Sequence, residues 1–143
     1  MFSPRLANGI VTFTLIACVI LGIELRQIRV ERYDREQYWA EILRSNEVGR
    51  WSWTDGGKLV WDQGMHDLFR VSRTQFDGTI DGFLACVCEA DRDEVRARCM
   101  ESAESGVPYD LVYRLTDGRR IRARGRVVVV GGVRSLAGIC TPA

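Results

Sequence analysis

The chain has 143 residues and a formal net charge of +1. That length suits one modest domain with an appendage. A balanced charge excludes the broad basic field of a nucleic-acid binder and the acidic tail of a disordered chain. Five cysteines, an odd number without the spacing of a small secreted scaffold, favour reduced thiols.

Leu6 to Ile23 is an 18-residue run without a charge, polar only at Asn8, Thr12 and Thr14. As a helix it would extend about 27 Å, enough for a bilayer core. A cleaved signal is the competing reading, since Leu15-Ile16-Ala17-Cys18 resembles a lipoprotein cleavage box. The apolar run continues beyond it through Ile23, which favours one retained span over residues 6–23. Arg26, Arg29, Arg32 and Arg35 follow the span and Arg5 alone precedes it, so the C-terminal part is expected in the cytoplasm.

Residues 25–47 lack Gly and Pro and read as a linker helix continuing from the span. Leu25, Ile28, Trp39 and Ile42 recur near three-four spacing, with Arg32 and Arg35 interrupting. That pattern admits a parallel dimeric coiled coil with a broken seam, or a solvated spacer.

From Val48 the period changes. Gly49-Arg-Trp51-Ser-Trp53 alternates, Asp55-Gly56-Gly57 is a turn, and Lys58 to Trp61 alternates again, which reads as a hairpin. Gln63 to Arg70 predicts one or two helical turns around Met65, Leu68 and Phe69. Val71 to Gly82 reads as loop, and Phe83 to Cys88 as a short, strand-like apolar run. Asp91 to Ser105 predicts a helix, with Asp91 and Glu94 as a capping-box-like start and Val95, Cys99 and Ala103 as its apolar stripe.

Tyr109 to Val130 carries the strongest signal. Two alternating runs flank Asp117-Gly118, a pair suited to a two-residue hairpin loop. Tyr109, Leu111, Tyr113 and Leu115 share one face of the first run. Ile121, Ala123, Gly125, Val127 and Val129 share one face of the second, and Arg120, Arg122, Arg124 and Arg126 the other. The small Ala123 and Gly125 are expected to leave room for a packed helix or a ligand. Gly131-Gly132 turns the chain into a last strand, Val133 to Cys140.

Ordered along residues 46–141, the motifs Gly49-Arg-Trp51-Ser-Trp53, Asp55-Gly56, Trp61, Asp91-Arg92, Gly106-Val-Pro108-Tyr109, Tyr113-Arg114, Asp117-Gly118 and Ala123-Arg124-Gly125 resemble those of PAS domains, in particular the PAS-3 subclass. The resemblance implies an α+β fold, a five-stranded antiparallel sheet with helices on one face, preceded here by the transmembrane and linker helices. It divides the chain into a transmembrane segment (1–24), a linker helix (25–47) and a sensor domain (48–143). Cys88 and Glu89 depart from the subclass, which has His and Pro there.

Function follows as a set of expectations. The chain is read as a single-pass, membrane-tethered sensory module acting through protein contacts, with no enzymatic output, because no kinase or cyclase sequence follows. It is expected to form a homodimer, to meet a signalling partner and not to bind nucleic acid. Arg122, Arg124 and Arg126 are candidates for the partner-binding sheet face. Trp53, Trp61, Met65, Phe69, Tyr113 and Ala123 are candidates for lining a small-molecule pocket. No cofactor is implied. His66, the single histidine, is expected at the surface or capping a helix rather than on a heme, and Cys86-Val-Cys88 as small hydrophobes sharing a strand face rather than a metal half-site. The alternatives are the sensory front of a histidine kinase or cyclic-dinucleotide enzyme, and a heme- or flavin-binding gas or redox sensor.

Overall fold

The computed structural model describes residues 4–54 and 56–143, with side chains from residue 11 onward. The predicted turn residue Asp55 and the chain start at 1–3 lie outside the described residues. The chain divides into two compact units, one ending at Glu41 and the other spanning Ile42–Ala143. One helix, α1 (Pro4–Ser45), contributes to both. Among the described residues it alone is long and apolar enough to cross a membrane.

The second unit is built on a five-stranded sheet. Its strands are β1 (Gly49–Thr54), β2 (Leu59–Trp61), β3 (Tyr109–Arg114), β4 (Arg120–Val130) and β5 (Val133–Pro142). The spatial order is β2-β1-β5-β4-β3 with every neighbour antiparallel, so the chain's first strand lies beside its last. The helices α2 (Gln63–Phe69), α3 (Ile80–Ala85) and α4 (Glu89–Ser105) fall between β2 and β3 in sequence. Their apolar residues, including Met65, Phe83, Val95 and Cys99, join one core with the inward face of the sheet. A sheet dry on one side and wet on the other needs period-two strands, and the predicted alternation appears in the burial of β2, β3 and β4 as far as Val127, whereas Val129, expected inward, is exposed.

The reversal at Asp117-Gly118 joins two hydrogen-bonded neighbours, but with a longer loop than expected. Leu115 N donates to Arg119 O at 2.8 Å and Gly118 N to Leu115 O at 3.0 Å, leaving Thr116, Asp117 and Gly118 in the loop. Gly118 has φ +86°, the left-handed residue that ends a three-residue hairpin loop. The faces survive, because Tyr109 pairs with Gly125, Leu111 with Ala123 and Tyr113 with Ile121.

Other expectations are corrected. Phe83 to Cys88 is not strand-like: Thr79 caps α3 by accepting from Gly82 N at 2.9 Å, and the helix carries Phe83 and Leu84 into the core. Only Val87 makes a bridge, to Leu115. Apolar density alone does not separate a short buried helix from a strand. Helix α4 begins two residues before Asp91, with Cys88 at its N-cap and no side-chain cap. Asp91 is drawn off to Arg114, described below. The last strand runs two residues beyond Cys140, to Pro142, held by pairs from Arg122 to Thr141 and Ile121 to Pro142.

Candidate functional site

Between the inner sheet face and the helices lies a cavity of about 20 Å³. That is room for about one water-sized molecule. Five of the six predicted lining residues meet there: Trp53, Trp61, Met65, Tyr113 and Ala123. Phe69 does not line it; it is buried against Trp61 at 4.8 Å and Phe83 at 6.1 Å between ring centres. Trp51, Tyr109, Cys99 and Cys140 also belong to the wall. Their signal was in the sequence, since Trp51 alternates with Trp53 and Tyr109 with Tyr113, but alternation ranks no member of a face above another.

Of the room expected above Ala123 and Gly125, the part over Ala123 opens on the cavity and the part over Gly125 is filled. Trp51, Gly138, Gly125 and Tyr109 form one cross-strand row on the inner face. The two glycines make a trough and the Trp51 indole lies in it, so that a Cβ on Gly125 would stand 2.8 Å from Cη2 of that indole. The indole meets the Tyr109 ring edge-on, with centres 5.9 Å apart and planes at 85°. This geometry suits aromatic quadrupoles.

Two donors of this row, Trp51 Nε1 and Tyr109 Oη, are buried without a hydrogen-bond partner among the described residues. Their polar neighbours are the thiols of Cys140 and Cys99, weak acceptors at best. Tyr113 Oη lies 3.8 Å from Cys140 Sγ. Burial pushes the Cys140 thiol up to about 12 and raises Cys99, Tyr109 and Tyr113 as well. These groups stay protonated at neutral pH, so the two interior thiols are not nucleophiles.

His66 takes the second of its two expected places, closing a helix end, but does so from the core rather than from the surface. It is buried, with 8% exposure, edge-on to Trp61 at 5.4 Å and to Phe76 at 6.0 Å. Its Nδ1 is 2.8 Å from Val71 O while Val71 N donates to His66 O at 3.2 Å, so the ring closes the end of α2. Val71 O can only accept, so Nδ1 is the donor of this bond. Trp61 is the hub of this cluster, stacked on Phe76 at 3.8 Å with planes 6° apart. Cys86 ends α3 with its thiol toward Gly82 O at 3.5 Å, whereas Cys88 caps α4; they share no strand face.

The outer sheet face carries the arginines. Arg122 grips Asp110 through two bonds of 3.0 and 2.8 Å. Arg124 and Arg126 are exposed and form no ion pair among the described residues. Beside them Arg114 clamps Asp91: Nε and the backbone N donate to Oδ2 at 3.0 and 2.9 Å, and Nη2 to Oδ1 at 2.6 Å. The clamp ties the first turn of α4 to β3.

The hydrogen bonds from Arg114 hold the Asp91 carboxyl down at about 2. A carboxyl with a lowered folded-state pKa stabilises the fold above its unfolded value, about 4, and loses that contribution as pH falls toward 2. Wild type and Asp91→Asn should therefore differ in unfolding midpoint at pH 6 and converge between about pH 4 and pH 2. Denaturant titrations across that range check this; a difference that stays constant down to pH 2 contradicts it.

No protein-family profile and no curated protein matches the sequence. Solved structures do. The N-terminal domain of a diguanylate cyclase with PAS/PAC sensor from Marinobacter aquaeolei aligns with a TM-score of 0.57 and 18% identity, over 66% of this chain and 94% of that one. A sensory box histidine kinase/response regulator from Burkholderia thailandensis aligns at 0.56 and 18%, over 73% and 83%. The PAS domain of a Colwellia psychrerythraea protein aligns at 0.56 and 14%, over 75% and 95%. Sheet order, helix placement and these alignments agree: the unit formed by Ile42–Ala143 has the PAS fold.

Proposed function

We infer that the chain is a membrane-tethered sensory module of the PAS-3 type, working in signal transduction through contacts with other proteins and without catalysis of its own. The observation that carries this reading is a PAS-folded unit in the same chain as an apolar helix long enough for a bilayer. The arginine excess after residue 23 orients the PAS unit to the cytoplasm. The PAS-3 motif residues Asp91 and Arg114 are joined in the clamp described above, which supports the subclass. Arg124 and Arg126, without ion pairs among the described residues, offer a contact surface for an acidic partner.

A small ligand, if it is the signal, is recognised by Trp51 Nε1 and Tyr109 Oη, the donors whose bonds are unmet. A heme or flavin is disfavoured, because about 20 Å³ admits neither without displacing the aromatic wall. A second reading, the sensory front of a longer histidine kinase or cyclic-dinucleotide enzyme, is favoured by the naming of two similar structures. An in-frame coding extension after Ala143 supports it, and a stop codon there removes it.

Flotation with phospholipid vesicles tests the tether. The full chain should rise with the lipid and a chain lacking residues 1–24 should stay in the dense fraction. Equal partitioning of the two overturns the reading.

A further inference from the structure

We propose that the tip of the β4–β5 hairpin, residues 126–134, is a second membrane contact that inserts shallowly into a bilayer carrying anionic lipid. The proposal rests on the reading of residues 6–23 as a span and goes beyond it, because this contact belongs to the PAS unit itself. The neighbouring strands stop short of the tip: β3 reaches Gly125 through Tyr109, and β1 reaches Ser135 through Thr54. Further out, among the described residues, β4 and β5 pair only with each other, as far as Val130 beside Val133. Gly131 and Gly132, at φ +57° and +79°, close this two-stranded ribbon. Val129, Val130 and Val133 are 66%, 74% and 52% exposed, and no polar side chain occurs from Val127 to Val133. A bare two-stranded ribbon is marginally stable in water, and a contiguous apolar patch on it marks a contact site.

Charge says what covers the tip. From Arg119 to Ala143 the chain carries six arginines and no acidic residue. Arg126 shares the outer face with Val128 and Val130, and neither it nor Arg124 has an ion pair among the described residues. Arg134 turns to the carbonyl oxygens of Ala103 and Glu104, which holds its charge against the end of α4. Valines ahead of unpaired cations match the edge of a bilayer: the apolar side chains enter among the acyl chains and the guanidinium stays with lipid phosphate. The lengths agree, since the four steps from Arg126 to Val130 advance the ribbon about 13 Å and interfacial segments sink about 5–10 Å. An acidic protein surface would satisfy Arg124 and Arg126 but leave the valines of one ribbon face wet, whereas lipid surrounds a tip on every side. The contact can be weak, because the span already holds the chain at the membrane and makes the second contact intramolecular. For the same reason a chain lacking residues 1–24 should still stay in the dense fraction.

Hydrogen exchange of the full chain in lipid nanodiscs tests the contact. Discs of phosphatidylcholine alone are compared with discs in which about a third of the lipid is phosphatidylglycerol, which supplies the negative surface potential. Amides of residues 127–133 should exchange about fivefold more slowly in the anionic discs. Val130→Asp combined with Val133→Asp should abolish that difference, and Arg126→Glu should reduce it. All three side chains are exposed, and unchanged exchange across β1 and the buried part of β5 shows that each variant is folded. Equal exchange of the tip in the two lipids, or slowing that survives the paired aspartates, overturns the proposal and leaves the tether standing. Slowing that appears in neutral detergent and grows with protein concentration assigns the tip to a second copy of the chain and overturns the proposal as well. A chain that does not enter the discs overturns the tether and the proposal together.

Discussion

Replacing Gly138 by Val should destabilise the PAS unit by about 3 kcal/mol, the upper part of the usual range for overpacking. A Cβ at Gly138 would collide with the Arg124 carbonyl oxygen and stand 2.6 Å from Gly125 Cα. Both are backbone atoms of β4, the strand that Gly138 pairs with, and neither can yield without breaking the ladder. The full chain in detergent, unfolded in guanidinium chloride and followed by tryptophan fluorescence, measures the loss. Gly22→Ala, in the exposed helix α1, is the matched control and should leave the unfolding midpoint unchanged. A loss below about 1 kcal/mol at Gly138 contradicts the packing described, because it would mean that β4 and β5 can separate to admit a side chain.

Trp61→Ala should cost about 3–5 kcal/mol, the range for removing a large buried aromatic. Trp61 is 6% exposed and holds three rings: Phe76 stacked at 3.8 Å, Phe69 at 4.8 Å and His66 at 5.4 Å. Losing it leaves a large hole and removes the wall against which His66 closes α2. Domains of this size are stable by only about 5–15 kcal/mol, so a fraction of the variant should be unfolded in water. Trp61→Phe should recover part of the loss, because it keeps a ring on Phe76 while giving up the outer indole atoms. The comparison separates aromatic packing from volume alone. Equal stability of the Ala and Phe variants contradicts a role for the stack.

The strands were legible because burial on one face imprints period two directly on the residues. Tyr109 to Leu115 and Ile121 to Val127 sort onto their faces from sequence, and so do Arg120 to Arg126, whereas Val129 lies beyond the core and is exposed. Helices α2 and α4 were legible as elements for the related reason that their apolar residues recur at helical spacing. The short helix α3 was misread as strand-like because one helical turn and a half carries too few residues to display a period. For His66 the helix-end role was legible and the burial was not, because histidine is usual at a surface and unusual in a core. What buries it is the pair of bonds with Val71, which spans the helix end and is invisible in a window. The site was half legible in the same way. The aromatics of the inner face were evident, but the trough of Gly125 and Gly138 was not. It joins residues thirteen positions apart, and its meaning depends on a third strand lying beside them.

The chain's own residues therefore determined which segments are apolar, which strand faces are wet, where the hairpin reverses, and that one helix is long enough for a bilayer. These are local properties, written by spacing and composition. Tertiary structure alone decided that β1 lays Trp51 over two glycines, that Asp91 bonds to Arg114 instead of capping its helix, and that the interior retains a cavity of about 20 Å³. Each of those outcomes depends on which distant atoms compete for the same space or the same donor. That competition is settled only when the sheet closes β1 against β5.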